Sequence, residues 1–214
     1  MESIGTVLYD YGDGLYVNLT NKCPCRCSFC VREQMDGVGD ADSLWLKREP
    51  TAEEVKALLA ERDLAAHSEL VFCGYGEPME RLDVLLSVAR YAKEKRPDLP
   101  IRINTNGLAD LLYGRDTTGD LAGLIDTVSI SLNASNAKNY AALCRPQFGE
   151  RAFDAILDYA FRAKKVVPEV VFSVVGFSLS EEEIAICRGI ARRLGVAFRV
   201  REAETGHREK GRQL

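Results

Sequence analysis

Histidine is almost missing from this sequence: His67 and His207 are the two among 214 residues. Histidine-based metal sites and Cys-His catalysis therefore have little material. No apolar run approaches the roughly 18 residues needed to cross a bilayer. The opening residues, Met1-Glu2-Ser3-Ile4-Gly5, lack the basic and apolar segments of a secretion leader. A cytoplasmic protein without a membrane partner is expected. Positive charge is not in excess either. Lys and Arg total 28 against 32 Asp and Glu, a net charge of −4, which gives no bulk attraction to nucleic acid or anionic lipid. A nucleic-acid partner is disfavoured rather than excluded, because a local basic groove would serve one. Internal repeats, low-complexity tracts and domain linkers are absent as well.

What is present is an ordinary globular composition, 46% apolar and 28% charged. One domain over 1–203 is expected, followed by a polar tail over 204–214. Short β-like runs alternate with amphipathic helical stretches. The predicted strands are Leu15–Thr20, Glu69–Cys73, Ile101–Thr105, Thr127–Leu132, Val170–Val175 and Val196–Val200. Upstream, Thr6–Tyr11 and Leu15–Asn18 flank Gly12-Asp13-Gly14, a hairpin turn. Capping boxes at Thr51/Glu54 and Ser180/Glu183 open two helices. Leu82, Leu85, Leu86 and Ala89 stripe another, and Phe153, Ile156, Leu157, Ala160 and Phe161 a further one. Strands alternating with helices imply parallel pairing. Six units are two short of the closed eight-fold barrel. The fold class is thus α/β, an open partial (β/α)6 TIM-like barrel of parallel strands with outer helices and an N-terminal β-hairpin.

The chain carries seven cysteines, and four of them fall between Cys23 and Cys30. In a cytosolic chain such crowding points to metal rather than disulfides. Cys23, Cys27 and Cys30 are spaced CxxxCxxC directly after the first barrel strand, with aromatic Phe29 before the third. Three thiolates on a four-iron cluster leave one iron open, as a reactive site needs. Two other readings use Cys25: a structural zinc site on Cys23, Cys25, Cys27 and Cys30, or a closed four-cysteine iron–sulfur centre.

The segment resembles the CxxxCxΦC signature of the radical S-adenosylmethionine (SAM) superfamily, where Φ is aromatic. The resemblance implies that Cys23, Cys27 and Cys30 ligate a [4Fe–4S] cluster whose open iron chelates the methionine end of SAM. It also places Phe29 near the adenine. Reductive cleavage of SAM would give methionine and a 5′-deoxyadenosyl radical, the cofactor carrying the hard chemistry.

Barrel active sites sit at the C-terminal ends of the strands, and three further signals fall there. Phe72-Cys73-Gly74-Tyr75-Gly76-Glu77-Pro78 ends the second strand; its glycines permit close approach of backbone to a ligand. It resembles the family's GGE motif, which implies that Gly74, Tyr75, Gly76 and Glu77 surround the methionyl amine. On the third strand Arg102, Asn104 and Asn106 share the polar face, and Asn106-Gly107 is also a good turn. Asn104-Thr105-Asn106-Gly107 resembles a TNG segment of several radical SAM subfamilies. On the fourth strand Ser131 and Asn133 match the family's ribose-binding position. Beyond it, Arg145 is suited to grip a substrate carboxylate or phosphate. Cys144 is either a hydrogen-atom donor or a buried packing residue. Arg199 and Arg201 share a face of the last strand, with no feature to say which way it looks.

More narrowly, Tyr16–Arg32, Leu44-Trp45-Leu46, Glu49-Pro50-Thr51, the GYGEP loop and Cys144-Arg145-Pro146 resemble the short radical SAM proteins called TatD-associated. Only isolated cysteines follow Cys30, so no second cluster is expected. The implied partners are a low-potential electron donor (flavodoxin or ferredoxin) and a small-molecule or protein-loop substrate. The alternatives are an enzyme of the glycyl-radical-activating type and a non-enzymatic iron–sulfur or zinc redox-sensing module.

Overall fold

A computed structural model describes residues 4–202, so the polar tail expected over 204–214 lies outside the described residues. Gly12, in the left-handed region at φ +63, turns β1 (Leu8–Tyr11) back onto β2 (Gly14–Val17). The hairpin is antiparallel, with Tyr9 opposite Tyr16. β3 (Glu69–Phe72), β4 (Ile101–Thr105), β5 (Thr127–Ser131), β6 (Glu169–Val175) and β7 (Ala197–Arg201) then add one after another. The seven-stranded sheet runs in the order β1-β2-β3-β4-β5-β6-β7, and every pairing from β2 to β7 is parallel. Six parallel strands in sequential order, without two more to close the ring, make the open partial barrel.

The helices are α1 (Ala52–Ala60), α2 (Leu82–Lys95), α3 (Ala109–Tyr113), α4 (Ala137–Cys144), α5 (Arg151–Ala163) and α6 (Glu181–Leu194). Both predicted capping boxes form: Glu54 and Glu183 each bond reciprocally with the cap residue three places earlier. α5 differs from its predicted stripe. Its buried side is Ala152, Phe153, Ile156, Tyr159, Ala160 and Ala163, while Phe161 is 45% exposed with the Lys164 and Lys165 ammonium groups 5.5 and 4.3 Å from its ring centre. At 3.6 residues per turn, positions 153, 156, 160 and 163 stay on one face and 161 drifts off it. α4 had no long apolar stripe to announce it. It rests on an Asn136 cap bonded to Asn139 N at 2.9 Å.

Alternation along the strands sends Ile101, Ile103, Val128, Ile130, Phe172 and Val174 into the fully buried layer beneath the helices. Their neighbours line the inner face of the barrel. One rung holds Tyr16, Val71, Arg102, Thr127 and Glu169. Asn104, Ser129 and Val171 stand above it, and Ser131, Ser173 and Arg199 above those. Closed barrels fill this space with branched aliphatic layers. Here it is largely polar. Among the described residues, no helix is long and apolar enough to cross a membrane.

Candidate metal centre and cofactor site

The cysteine loop leaves the C-terminal end of β2 and is pinned from three sides. Asn18 Nδ2 donates to the carbonyls of Thr6 and Leu44 at 3.1 and 2.7 Å. Asn21 exchanges two bonds with Leu46, at 2.8 and 3.1 Å, and Thr20 Oγ1 donates to Glu49 Oε1 at 2.7 Å. Beneath, Glu77 N donates to Lys22 O at 2.8 Å. On the far side the end of α4 runs along the loop: Arg26 N bonds Cys144 O, Ser28 N bonds Leu143 O, and Gln147 N bonds Pro24 O, at 2.8–3.0 Å. The Leu44–Leu46, Glu49–Thr51 and Cys144–Pro146 segments therefore brace the cysteines. Asn18, Asn21 and Glu49 do so with side chains that spacing alone did not single out.

The thiols divide by burial. Cys23, Cys27 and Cys30 are half-buried, whereas Cys25 and Cys144 are sealed in. Cys25 Sγ lies 3.9 Å from Tyr140 Oη. Hydrogen bonds from the thiols of Cys144 and Cys25 hold the Cys27 thiol well below its usual range, and the Cys25 thiol lowers that of Cys23. The donors move the other way: Cys25 is pushed up by bonding to Cys23 and Cys27, and Cys144 by bonding to Cys27. Burial raises Cys30. Since the thiolate is the metal ligand, Cys23 and Cys27 are poised as ligands with protonated thiols behind them. Cys144, expected as a hydrogen-atom donor or a packing residue, backs Cys27 from the core. Arg145 follows it exposed, at φ +45, a left-handed conformation that costs a non-glycine residue about 1–2 kcal/mol.

Around this loop the other expected residues divide. Asn106 Nδ2 points at Cys23 Sγ at 3.9 Å, and its Oδ1 accepts from Leu108 N at 3.0 Å; it is at once a turn residue and a neighbour of the thiols. Asn104 is drawn down the lumen, its Oδ1 taken by Arg102 at 2.9 Å. Phe29 is half-buried and packed against the main core. Ser131 Oγ accepts from Arg201 at 3.4 Å. Asn133 is 3% exposed, sits at φ +51, and leaves Oδ1 buried without a hydrogen-bond partner.

The GYGEP loop is built differently from expectation. Its glycines make room for the cysteine loop: a Cβ at Gly74 would stand 2.1 Å from Asn18 Oδ1, and one at Gly76 would stand 2.2 Å from Thr20 O. The Tyr75 side chain turns away into a second cluster with Tyr9 and Leu44, donates to Met35 O, and meets the Trp45 ring edge-on at 5.2 Å. The Glu77 carboxylate, 4% exposed, accepts from Thr105 Oγ1 at 2.6 Å, Asn106 N at 2.7 Å and Met79 N at 3.2 Å. It ties the β3 loop to the β4 loop. The main chain of the segment is what stays available to a ligand.

Burial outweighs those three donors and lifts the Glu77 pKa to about 7. The folded chain therefore keeps a proton that the unfolded chain has already released above about pH 4.3. Stability from this group is present at low pH and falls as pH rises from there to about 7, by about 4 kcal/mol. Glu77→Gln is expected to remove that slope. It should also cost about 1–3 kcal/mol, because one amide oxygen cannot serve both sets of donors. Urea melts at pH 5 and pH 8 check both effects; an unchanged slope in the variant would assign it to another group.

A cluster held at three corners needs three reachable thiols and others kept back, and the loop supplies that division. The unpartnered Asn133 Oδ1 beside the loop suits a polar cofactor. Thiols over a polar barrel mouth describe a metal- and cofactor-dependent barrel enzyme.

The chain belongs to the radical SAM superfamily, whose model matches residues 17–188. Its cofactors are a [4Fe–4S] cluster and SAM. The chain is similar to the GTP 3′,8-cyclase of Rhodococcus opacus (strain B4), at 33% identity over 135 residues, covering 61% of this chain and 35% of that protein. It spans about a third of the length of this relative. Its fold is similar to that of a radical SAM methyltransferase from Sphaerobacter thermophilus, with TM-score 0.61 and 19% identity over 92% of this chain and 69% of that one. Streptococcus suis SuiB bound to S-adenosylmethionine is also similar, with TM-score 0.67 and 17% identity over 92% of this chain and 42% of that one.

Proposed function

We propose that this chain is a cytoplasmic radical SAM enzyme in which Cys23, Cys27 and Cys30 hold the cluster. The observation that carries the reading is the division of thiols at one braced loop: Cys23, Cys27 and Cys30 half-exposed, with Cys25 and Cys144 buried behind them. When bound, the group supplies the electron that splits SAM into methionine and a 5′-deoxyadenosyl radical. The chain's own residues position and shield. The main chain of Gly74-Tyr75-Gly76 is left for the methionyl amine, because the Tyr75 and Glu77 side chains are engaged elsewhere. Asn133 Oδ1 and Ser131 Oγ stand for the ribose, Phe29 for the adenine, and Asn106 Nδ2 for tuning Cys23 by an N–H···S contact. Asn104 acts through Arg102. Arg145, exposed at the end of α4, is available to a substrate anion. Cys144 serves as a positioning residue behind Cys27.

A low-potential flavodoxin or ferredoxin fits as the electron source. GTP is the substrate in the relatives' name; because the match covers about a third of that protein, the reading extends to SAM cleavage and stops short of that substrate. The likeness to TatD-associated proteins stays a resemblance of the sequence segments that carry it. Anaerobic reconstitution tests the proposal. It should give a brown protein with about four irons per chain and 5′-deoxyadenosine from SAM under a strong reductant. A colourless zinc protein that ignores SAM would overturn it.

A further inference from the structure

The helix that braces the cysteine loop carries cations where local helix chemistry favours other residues. α4 starts at the Asn136 cap, and the N-terminal end of a helix favours acidic side chains. Its first turn has no acid and presents Lys138. At the other end Arg145 holds the left-handed C-cap at φ +45, a conformation that suits glycine. Lys138, Ala142 and Arg145 are all exposed, and spacings of four and three put them on one side of the helix. That side ends at the cysteine loop. Arg26 N donates to Cys144 O at 3.0 Å, so Arg26, itself exposed between Cys25 and Cys27, stands next to the end of the stripe.

These cations are not neutralised. Among the described residues the side chains of Arg26, Lys138 and Arg145 have no polar partner. Other basic residues of the loop do: Lys22 pairs with Glu49 at 3.2 Å and Arg32 with Glu33 at 3.5 Å. Glu183 reaches α4 from α6, but its carboxylate accepts from Asn139 Nδ2 at 2.9 Å and from Ser180 N at 3.1 Å. A positive face therefore lies over the cysteine loop of a chain whose net charge is −4. Cys27, directly after Arg26, is half-buried.

We propose that Arg26 and Lys138, bordered by Arg145, form the docking face for a protein electron carrier with an acidic surface. The proposal rests on the radical SAM reading for the electron it requires, and adds where the carrier sits. One electron leaves the carrier and one arrives at the loaded loop; no bond forms or breaks at the face. Complementary charge steers such encounters and sets their register. Interfaces of electron carriers are small and transient, so a few unpaired cations are a sufficient footprint.

An acidic flavodoxin is the probe, used with the anaerobically reconstituted protein. Calorimetry at low salt reads binding of the oxidised flavodoxin without any turnover. Formation of 5′-deoxyadenosine is then compared between photoreduced flavodoxin and dithionite, a small reductant that needs no docking face. Arg26→Glu and Lys138→Glu should each weaken flavodoxin binding, and slow the flavodoxin-driven reaction, by about tenfold. The yield with dithionite should stay at the level of the unaltered protein. Lys138→Glu places an acid where the helix favours one, which guards against a fold defect, and Arg26→Lys should keep most of the binding. Lys165→Glu, just past the end of α5, changes net charge equally and should alter neither readout. Added salt should weaken the unaltered protein more than the glutamate variants. Absence of binding by the unaltered protein, glutamate variants that bind as tightly, or an equal loss in Lys165→Glu would overturn the face. A parallel loss with dithionite would assign the residues to the loop's own structure and overturn it as well. Tighter binding of a single-stranded DNA oligomer, lost in the same variants, would give the face to nucleic acid instead. An unaltered protein that binds flavodoxin through these residues, yet forms no 5′-deoxyadenosine with dithionite, would sink the radical SAM reading and leave the docking face standing.

Discussion

Alanine at Cys23, Cys27 or Cys30 is expected to abolish iron incorporation and SAM cleavage, while alanine at Cys25 keeps both. Changing even an outer-shell partner of a metal site costs 10–100-fold, so loss of a thiolate ligand should reduce 5′-deoxyadenosine formation by at least about a hundredfold. Cys25 is 3% exposed and packed by Tyr140. Its loss removes one sulfur from the core, at about 1 kcal/mol, and one thiol donor to Cys23 and Cys27. Cys25→Ala should therefore bind iron somewhat more weakly and still turn over. Cys25→Ser, which restores a donor, should recover the difference. Iron per chain and product yield, measured together after anaerobic reconstitution, check the set. A Cys25→Ala protein without iron, beside a Cys30→Ala protein that retains it, would reverse the ligand assignment.

Gly76→Ala should be a severely damaging single-methyl change, aimed directly at the support of the cysteine loop. The φ of Gly76 is not among the left-handed values, so an alanine backbone would be tolerated there and the effect is purely steric. The added Cβ would meet Thr20 O at 2.2 Å and Lys22 O at 2.6 Å. Both are backbone atoms one to three residues before Cys23, and neither can swing aside as a flexible side chain would. Overpacking of this kind costs about 3 kcal/mol. Relief would push the cysteine loop off its support and break the Glu77 N to Lys22 O bond. Thermal melts should show the loss of stability, and reconstitution a matching loss of iron. Gly123→Ala provides the contrast: nothing lies within 4 Å of its Cβ, so only its φ of +71 is strained, at about 1 kcal/mol. A Gly76→Ala protein that melts and loads iron like its parent would refute the proposed contact between the two loops.

Much of this molecule is written locally. The alternation of Ile101 and Ile103 with Arg102 and Asn104 says which side of β4 is buried, because successive side chains on a strand point to opposite faces. Thr51 with Glu54 and Ser180 with Glu183 mark helix starts, because each cap is closed by a residue three places away. The CxxxCxxC spacing places three thiols on one short loop whatever surrounds it. These properties depend on neighbours within a few residues, and so composition and order determine them.

The tertiary structure decided what the same residues touch. Cys25 carries the same thiol as Cys23, and only the packing of α4 against the loop makes one a buried donor and the other a half-exposed acceptor. Gly74 and Gly76 must lack a side chain because the pairing of β3 with β2 brought Asn18 and Thr20 against them. Tyr75 and Glu77 belong to the expected motif, yet their partners, Met35 and Asn106, lie about 30 to 40 residues away. Arg199 and Arg201 took a direction once the register of β6 with β7 set them opposite Ser173 and Val175. A side chain's role here follows from which distant backbone reaches it, and that is settled when the strands assemble rather than by the residues on either side.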